Sequence, residues 1–180
     1  MESPGTTLAG SELFTALRRG NGEAIAAVYR DHAPALLRSI ATLLGDRSEA
    51  EDVVHDLFVG LPEAMARYQD RGVFGGWLRR IGMRMALTRL RTRSRRSEVA
   101  LSAARNIATP ADDDQLARRL LLETALATLP EEMRMVVVLR ELEGWPYRHI
   151  AEQLGVREGA VMTRHCRAMR RLRNALETSR

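Results

Sequence analysis

The amino-acid sequence predicts an all-α protein with two small helical domains joined by a flexible linker, the second ending in a helix-turn-helix. Apolar residues recur at helical spacing along most of the 180 residues, and no segment shows the apolar-polar alternation of a strand. One long stretch of small and polar residues interrupts this pattern, and a chain of this length can bury two modest cores. We therefore predict a first domain at 1–96, a linker at 97–115 and a second domain at 116–180.

Helix start and stop signals divide the beginning of the first domain. Ser11 can cap a first helix that ends at Gly20, and apolar spacing predicts a second, short helix over 23–31. Pro34 fits the first turn of a further helix, because a backbone N–H at that position would have no helical partner, and Gly45 ends that helix.

Two longer helices complete the first domain. Ser48, followed three residues later by Glu51, forms a capping-box pattern at the start of one helix, which Pro62 can kink. The other helix runs over about 74–93, and its expected buried side is Trp77, Leu78, Ile81, Met85 and Leu90. Aromatic residues beside arginines at its start suit distorted or single-stranded DNA, although burial is favoured for Trp77.

The second domain is predicted to begin with a helix over 116–127. Thr128 and Glu131 form another capping-box pattern, and Gly144 ends the helix that follows. Pro146 fits the first turn of the next helix, and Gly155 supplies the turn between two short helices. This order is typical of a helix-turn-helix.

The second helix of that motif, within 155–173, has two different faces. Its inward face is predicted to hold Val161, His165, Ala168 and Leu172. Its outward face presents Met162, Thr163, Cys166, Arg167 and Arg170, with Arg164 and Arg171 on the flanks where phosphates would lie. The major groove of DNA admits one helix and distinguishes base pairs by their donors and acceptors, so we expect this helix to read DNA there.

Charge is sorted into blocks along the chain. All 28 basic residues are arginine, and the net charge is +5. Nine arginines and no acidic residue lie within 71–97, five arginines and no acidic residue lie within 159–175, and six acidic residues face one arginine within 46–63. Arginine suits phosphate and guanine edges, so the basic blocks point to a polyanionic partner, with a solvated surface as the open alternative.

Several function classes are disfavoured by composition. Cys166 is the only cysteine, which excludes an internal disulfide framework and a zinc site built on paired thiolates. No apolar run approaches the ~20 residues that span a bilayer, and the sequence begins without a signal-peptide pattern, so we expect a cytoplasmic protein with no membrane insertion. The four histidines lack metal-ligand spacing and no glycine-rich phosphate loop is present, so neither an enzyme nor a cofactor is expected.

Three segments together resemble an extracytoplasmic-function (ECF) sigma factor, a subunit of bacterial RNA polymerase. They are AEDVVHDLF at 50–58, FGGWLRRIGMRMALTRLR at 74–91, and the stretch at 126–173 that contains the helix-turn-helix. The resemblance implies that the first domain binds the beta-prime clamp helices of core RNA polymerase and recognises and melts the minus-ten promoter element. It also implies that the second domain binds the beta flap and reads the minus-thirty-five element, and that an anti-sigma factor is a partner.

The resemblance also implies roles for individual residues. Core polymerase is expected to contact Glu51, Asp52, His55, Asp56 and Phe58. The minus-ten element is expected to contact Arg80, Arg84, Thr88, Arg91 and Arg95. The minus-thirty-five element is expected to contact the outward face and flanks of the last helix, which are Met162, Thr163, Arg164, Cys166, Arg167, Arg170 and Arg171.

Some positions depart from the family pattern. His55 stands where glutamine is common, Arg84 and Thr88 replace asparagine and aspartate, and Met162 replaces a basic residue. Two alternatives stay open. One is a stand-alone helix-turn-helix regulator that acts without polymerase, against which the motifs of the first domain argue. The other is a helical interaction module without DNA binding, which only the departures at Arg84, Thr88 and Met162 support.

Overall fold

The computed structural model describes residues 10–70, 73–97 and 114–178, and within these ranges all regular structure is helical. The all-α prediction is confirmed. The helices of the first part are α1 Gly10–Arg18, α2 Gly22–Leu44, α3 Arg47–Val59, α4 Leu61–Met65 and α5 Phe74–Ser97. The second part contains α6 Asp114–Ala127, α7 Glu131–Val137, a π-helical turn at Val138–Leu142, α8 Tyr147–Leu154 and α9 Glu158–Thr178. Most of the predicted linker lies outside the described residues, so the domain boundaries stay predictions.

Helix α2 is continuous through Pro34, so the prediction of two helices separated there is wrong. An internal proline removes one backbone hydrogen bond and costs about 3 kcal/mol. The helix continues because buried side chains anchor it both before and after the proline, including Val28 and Leu36. Its ends are well defined: the Asn21 side chain accepts a hydrogen bond from the Ala24 N–H at 2.9 Å, and Gly45 adopts a left-handed φ of 72°.

Helix α3 begins before the predicted capping box. Its N-cap is Asp46, whose side chain accepts a hydrogen bond from the Glu49 N–H at 3.0 Å, so the prediction that Ser48 caps the helix is wrong. The helix ends at Val59, and Pro62 lies in the first turn of α4 instead of kinking a longer helix. A proline is tolerated in that position because the first turn has no helical acceptors for its N–H groups.

Helix α5 packs against α2 and α3 at a close approach. A Cβ atom on Gly82 would lie 3.2 Å from both the Ile40 Cδ1 and the Leu57 Cδ1 atoms, so only glycine fits without displacing them. At this close approach, the buried face of α5 differs from the predicted one. Leu78 and Leu90 are buried as predicted. The other three predicted residues are only partly buried: Trp77, Ile81 and Met85. The remaining buried side chains of α5 are Met83, Ala86 and Leu87.

The predicted helix-turn-helix is confirmed. Helices α8 and α9 flank a turn in which Gly155 has a φ of 67°, a conformation that favours glycine. Pro146 lies immediately before α8 as its N-cap and not inside its first turn. The capping box of Thr128 and Glu131 is not formed, because the Thr128 hydroxyl donates to the Ala125 carbonyl at 2.7 Å and Pro130 occupies the N-cap of α7.

The larger of two clusters of buried side chains contains residues of both halves of the chain. It includes Leu43 and Leu44 at the end of α2 together with Val136, Leu139 and Ile150 of the second half. A smaller cluster lies within the second half and joins α6, α7 and α9, with Leu126, Val137, Ala168 and Leu172 among its members. Among the described residues, no helix is both long and apolar enough to cross a membrane.

Candidate nucleic-acid and protein interfaces

Helix α9 separates a buried face from an exposed basic face, as the sequence predicts. Val161, Ala168 and Leu172 are buried. The opposite face exposes Met162, Thr163, Cys166, Arg167 and Arg170 to solvent. The two arginines of this exposed face are donors of the kind that meet base edges in a major groove, whereas the Thr163 hydroxyl donates to the Gly159 carbonyl at 2.9 Å and keeps its lone pairs as acceptors.

The rotation of α9 is fixed by polar contacts on its inner side. His165 is predominantly buried, as predicted, and its Nδ1 atom lies 3.0 Å from the Tyr147 hydroxyl, while its Nε2 atom lies 3.0 Å from a carboxylate oxygen of Glu141. The Arg140 guanidinium lies 4.5 Å from the centroid of the Tyr147 ring. These contacts tie α9 to α8 and to the π-helical turn.

The two flanking arginines of α9 differ in their surroundings. Arg171 is exposed, whereas a nitrogen of the Arg164 guanidinium lies 3.0 Å from a carboxylate oxygen of Glu132 at the start of α7. The Arg164 side chain is only 27% exposed. The sequence did not indicate this pair, because the two residues lie on different helices. Arg171 therefore offers the more accessible charge for a phosphate.

Helix α3 presents an acidic face to solvent. Glu51, Asp52, His55 and Asp56 are exposed, while Val54 and Leu57 are buried on the other side. Phe58, predicted as a polymerase contact, is 5% exposed. Its ring packs edge-on against Tyr29 with centroids 4.8 Å apart. Phe58 thus supports the acidic face from beneath and does not form part of its surface.

Two of the exposed carboxylates already have arginine partners. A carboxylate oxygen of Glu51 lies 2.9 Å from the Arg47 Nε atom, one turn earlier on the same helix. A carboxylate oxygen of Asp52 lies 2.8 Å from a guanidinium nitrogen of Arg89 on α5. These pairs are solvent-exposed, so each contributes no more than about 1 kcal/mol and a protein partner can replace it.

Helix α5 exposes most of the residues predicted to meet the minus-ten element. Arg80, Arg84, Thr88 and Arg91 are exposed, and the Arg95 side chain lies outside the described residues. Arg84 and Thr88 line a groove of about 810 Å³ between α3 and α5, whose apolar floor includes Val53 and Ile81. Asp56 lines the same groove. The structure therefore brings the predicted polymerase-binding and minus-ten residues onto adjoining surfaces.

An aromatic cluster lies at the start of α5. Trp77 packs with its ring centroid 4.7 Å from that of Tyr68 and 5.7 Å from that of Phe74, and Phe14 completes the cluster. Trp77 is only partly buried among these rings, so it packs against the edge of the core and not within it. Tyr68 and Phe14 were not identified from the sequence, because neither lies within the basic helix.

Comparison with known proteins places two family models on the chain in the predicted order. The model for Sigma-70 region 2 matches residues 28–96, and the model for Sigma-70, region 4 matches residues 119–172. The first match covers α3 and α4 together with most of α2 and α5, and the second covers α7 and α8 together with parts of α6 and α9. The acidic face of α3 and the exposed arginines of α5 and α9 discussed above lie within these matches.

Curated relatives carry the same family description. The chain is 31% identical to the RNA polymerase sigma factor CarQ of Myxococcus xanthus, over 88% of this chain and 92% of that protein. It is 32% identical to the ECF RNA polymerase sigma factor SigL of Mycobacterium tuberculosis, over 84% of this chain and 88% of that protein. It is 34% identical to the ECF RNA polymerase sigma factor SigE of Mycolicibacterium smegmatis, over 83% of this chain but only 60% of that longer protein.

Solved structures show the same fold. The chain aligns with CnrH, solved in complex with the cytosolic domain of CnrY, with a TM-score of 0.54 and 24% identity over 93% of this chain and 97% of that chain. It aligns with the sigma factor RpoE, solved in complex with the anti-sigma factor NepR from Bartonella quintana, with a TM-score of 0.59 and 22% identity over 86% of this chain and 98% of that chain. This likeness shows the fold. The matched regions and the curated relatives show the family: the chain belongs to the ECF RNA polymerase sigma factors.

Proposed function

We propose that the two halves of this sigma factor divide promoter recognition between them. The first domain, predicted at 1–96, binds core RNA polymerase and the minus-ten element. The second, predicted at 116–180, binds the beta flap and reads the minus-thirty-five element. The observation that carries this proposal is α9, where three buried apolar side chains and His165 hold an exposed face of arginine, threonine and methionine outward.

The second domain reads sequence through the centre of α9. Arg167 and Arg170 occupy the exposed face, where an arginine can donate two hydrogen bonds to guanine O6 and N7. Met162 and Thr163 add apolar and hydroxyl contacts near the start of the helix, and Cys166 contributes to the contact surface. Arg171 contacts the phosphate backbone from one flank. Arg164 contacts it from the other flank once a phosphate replaces Glu132 as its partner.

The first domain binds polymerase through the acidic face of α3. Its surface consists of Glu51, Asp52, His55 and Asp56, and the buried Phe58 fixes its position. Basic residues on the beta-prime clamp helices would replace the intramolecular arginine partners of Glu51 and Asp52. The exchange keeps each carboxylate paired throughout, so polymerase binding need not expose an unpaired charge.

The minus-ten element meets α5. Arg80, Arg84, Arg91 and Arg95 supply positive charge along this helix, and the half-buried rings of Phe74 and Trp77 stand at its start. Positive side chains that follow a backbone and aromatic rings that stack on bases suit separated DNA strands. Because Arg84 and Thr88 replace asparagine and aspartate of the family pattern, the base preference at this element should be this protein's own.

The proposal includes a regulatory protein partner and a cytoplasmic location. Both solved neighbours named above were crystallised with a protein partner, and one of these is named as an anti-sigma factor. We propose that this chain also binds an anti-sigma factor. Transcription takes place in the bacterial cytoplasm, where the protein should reside, and the chemistry belongs to polymerase, so neither an enzymatic activity nor a cofactor is proposed.

Transcription in vitro tests the proposed function directly. Core polymerase and the full chain are incubated with a library of genomic fragments, and transcript starts are mapped. We expect starts that depend on the chain and share a pair of sequence elements upstream. A stand-alone regulator would bind fragments without adding starts, and an interaction module without DNA binding would do neither. Capture of core polymerase by the full chain checks the first step separately.

A further inference from the structure

One face of α1 packs over the segment that leads from α4 to α5. Helix α1 lies before residue 28, where the match to the Sigma-70 region 2 model begins. Phe14, Leu17 and Arg18 share this face, because residues three and four apart are neighbours on a helix surface. Leu17 is fully buried, and the Phe14 ring centroid lies 5.2 Å from that of Tyr68 and 5.3 Å from that of Phe74. Helix α1 therefore contacts both this segment and the aromatic cluster at the start of α5.

The Arg18 guanidinium binds the backbone of the segment at two points. Its Nε atom donates a hydrogen bond to the Met65 carbonyl at 3.1 Å, and its Nη2 atom donates to the Tyr68 carbonyl at 3.3 Å. Met65 is the last residue of α4, and basic side chains commonly bind the carbonyls at the end of a helix. We call residues 66–70 the connector. Because the guanidinium is planar and rigid, its two bonds fix the first turn of the connector.

Further contacts hold the connector and the aromatic cluster. The Tyr68 ring is buried, and its hydroxyl donates a hydrogen bond to a carboxylate oxygen of Asp70 at 3.1 Å. The His32 ring of α2 packs edge-on against Phe74, with centroids 5.8 Å apart. Phe74 and Trp77 are each only partly buried, so part of each ring stays accessible to a partner.

The position of these rings matters because separated DNA strands are costly. Unpairing and unstacking a base requires free energy, and stacking of that base on an aromatic ring returns part of it. A ring that is already held in place returns more, since it does not have to be ordered when the base arrives. Tyr68 links Arg18 to these rings, because Arg18 binds its carbonyl and its own ring centroid lies 4.7 Å from that of Trp77.

We propose that Arg18 is a positioning residue for strand capture: it fixes the connector, so that the aromatic cluster is in place before a base of the separated minus-ten strand arrives. The capture of the base rests on the proposed function of α5, whereas the fixed connector is a property of the free chain. Arg18 acts through Tyr68 and does not contact the DNA. Its removal should therefore leave the salt dependence of strand binding unchanged.

The first test compares two neighbouring arginines in the free full chain. Arg18→Met keeps the length of the side chain but removes its charge and its donors. Arg19→Met makes the same change at the next residue, which is exposed, and serves as the matched control. Hydrogen exchange at the connector should be about three- to tenfold faster in Arg18→Met, because the turn closed by the Tyr68 N–H and the Met65 carbonyl opens more often. Arg19→Met should exchange like the unmodified chain, and circular dichroism checks that both variants are helical.

DNA binding by the chain in complex with core polymerase provides the second readout. One probe is a mapped promoter in which one strand of the minus-ten element is left unpaired, and the other is a duplex that carries the minus-thirty-five element alone. Arg18→Met should bind the first probe about three- to tenfold more weakly, because less of the stacking free energy is recovered. Its binding to the second probe and to core should stay within about twofold of the unmodified chain. Arg18→Lys keeps the charge without the two-pronged geometry, so it should recover only part of the loss.

Several outcomes would overturn the proposal. Equal losses on both probes would mean that Arg18 only stabilises the fold. Equal losses in Arg18→Met and Arg19→Met, or full recovery by Arg18→Lys together with a reduced salt slope in Arg18→Met, would mean that Arg18 acts on DNA through its charge. Unchanged hydrogen exchange in Arg18→Met would show that it does not fix the connector. Faster exchange, in a chain whose unmodified form has no preference for the unpaired strand, would support the fixed connector and overturn the proposed function of α5.

Discussion

Helices α5 and α9 have similar compositions but different surroundings. Both are long and rich in arginine; α5 has no acidic residue, and α9 has acidic residues only near its two ends, Glu158 and Glu177. On α5, however, Arg89 pairs with Asp52, and Arg93 pairs with Glu49 and Glu131. On α9 the arginines at the centre of the exposed face have no described carboxylate partner, and only Arg164 on the flank is paired, with Glu132.

This difference shows that arginine content alone does not identify a DNA-binding face. Part of the charge of α5 stabilises the contact with α3 and with the second half of the chain, so only its outer arginines remain available to DNA. The charge of α9 is directed mainly to solvent, because an apolar inner face carries its packing. Part of this difference comes from α3, whose Asp52 and Glu49 pair with arginines of α5. Substitutions in α3 and α9 therefore test the comparison.

The largest effect is expected from charge reversal on the acidic face of α3. Asp52→Arg combined with Asp56→Arg should weaken binding to core polymerase at least about a hundredfold, since like charges across an interface cost several kcal/mol. The fold should survive, because both side chains are exposed. Equilibrium binding to core measures the loss, and circular dichroism checks the fold.

A double variant with the same change of charge elsewhere serves as its control. Asp31→Arg combined with Glu152→Arg alters exposed acidic residues away from α3 and should leave binding to core within about twofold of the unmodified chain. Normal binding by the folded α3 variant would mean that polymerase contacts a different surface.

Removal of a central arginine of α9 should produce the next largest effect. Arg167→Ala should cost about 1–3 kcal/mol at the preferred minus-thirty-five element and relax discrimination at one base position, as loss of a base-edge contact does. Affinity of the polymerase-bound protein for promoters with single-base changes measures this. Equal weakening on every promoter variant would show that Arg167 contacts the backbone and that the proposed rotation of α9 is wrong.

The cap of α3 gives a smaller effect on stability. Asp46→Ala should lower the free energy of unfolding by about 0.5–2 kcal/mol, because the Glu49 N–H loses its side-chain acceptor. Ser48→Ala is the matched control and should change it by less than about 0.5 kcal/mol. Denaturant unfolding of both variants decides between the observed cap and the one that the sequence pattern favoured.

The smallest effect is expected from the flank of α9. Arg171→Ala should weaken all promoters alike and reduce the slope of log affinity against log salt by about one, because a phosphate contact releases counterions without reading sequence. Titrations of polymerase-bound protein at several salt concentrations measure the slope. A change in base preference, with an unchanged slope, would place Arg171 in the groove.

Local patterns in the sequence predicted those parts of the structure that depend on neighbouring residues. The turn at Gly155 and the inner face of Val161, His165 and Ala168 follow from a glycine signal and a helical period. The cap at Asp46 was missed, because the pattern of Ser48 and Glu51 places the start of α3 two residues too late. Pro34 likewise lies inside a helix because buried contacts on both sides outweigh its cost.

Contacts between distant parts of the chain could not be read from the sequence. The pairs of Arg164 with Glu132 and of Arg93 with Glu131 join different helices, and no spacing rule connects them. The burial of Phe58 depends on Tyr29 of α2, and the buried face of α5 depends on how closely Gly82 lets it approach. Periodicity and family resemblance therefore identified the residues proposed to contact DNA and polymerase. The structure shows which of them are exposed and which already have a partner.

The most direct test of this account is the DNA binding of the full chain with and without core polymerase. Affinity is measured on duplexes that carry the mapped promoter elements and on scrambled duplexes of equal length, at one fixed salt concentration. We predict weak and nearly equal binding by the free chain, and strong preference for the promoter once core is added, because polymerase separates and positions two short reading elements. Tight, promoter-specific binding by the free chain, unchanged by core, would contradict the account.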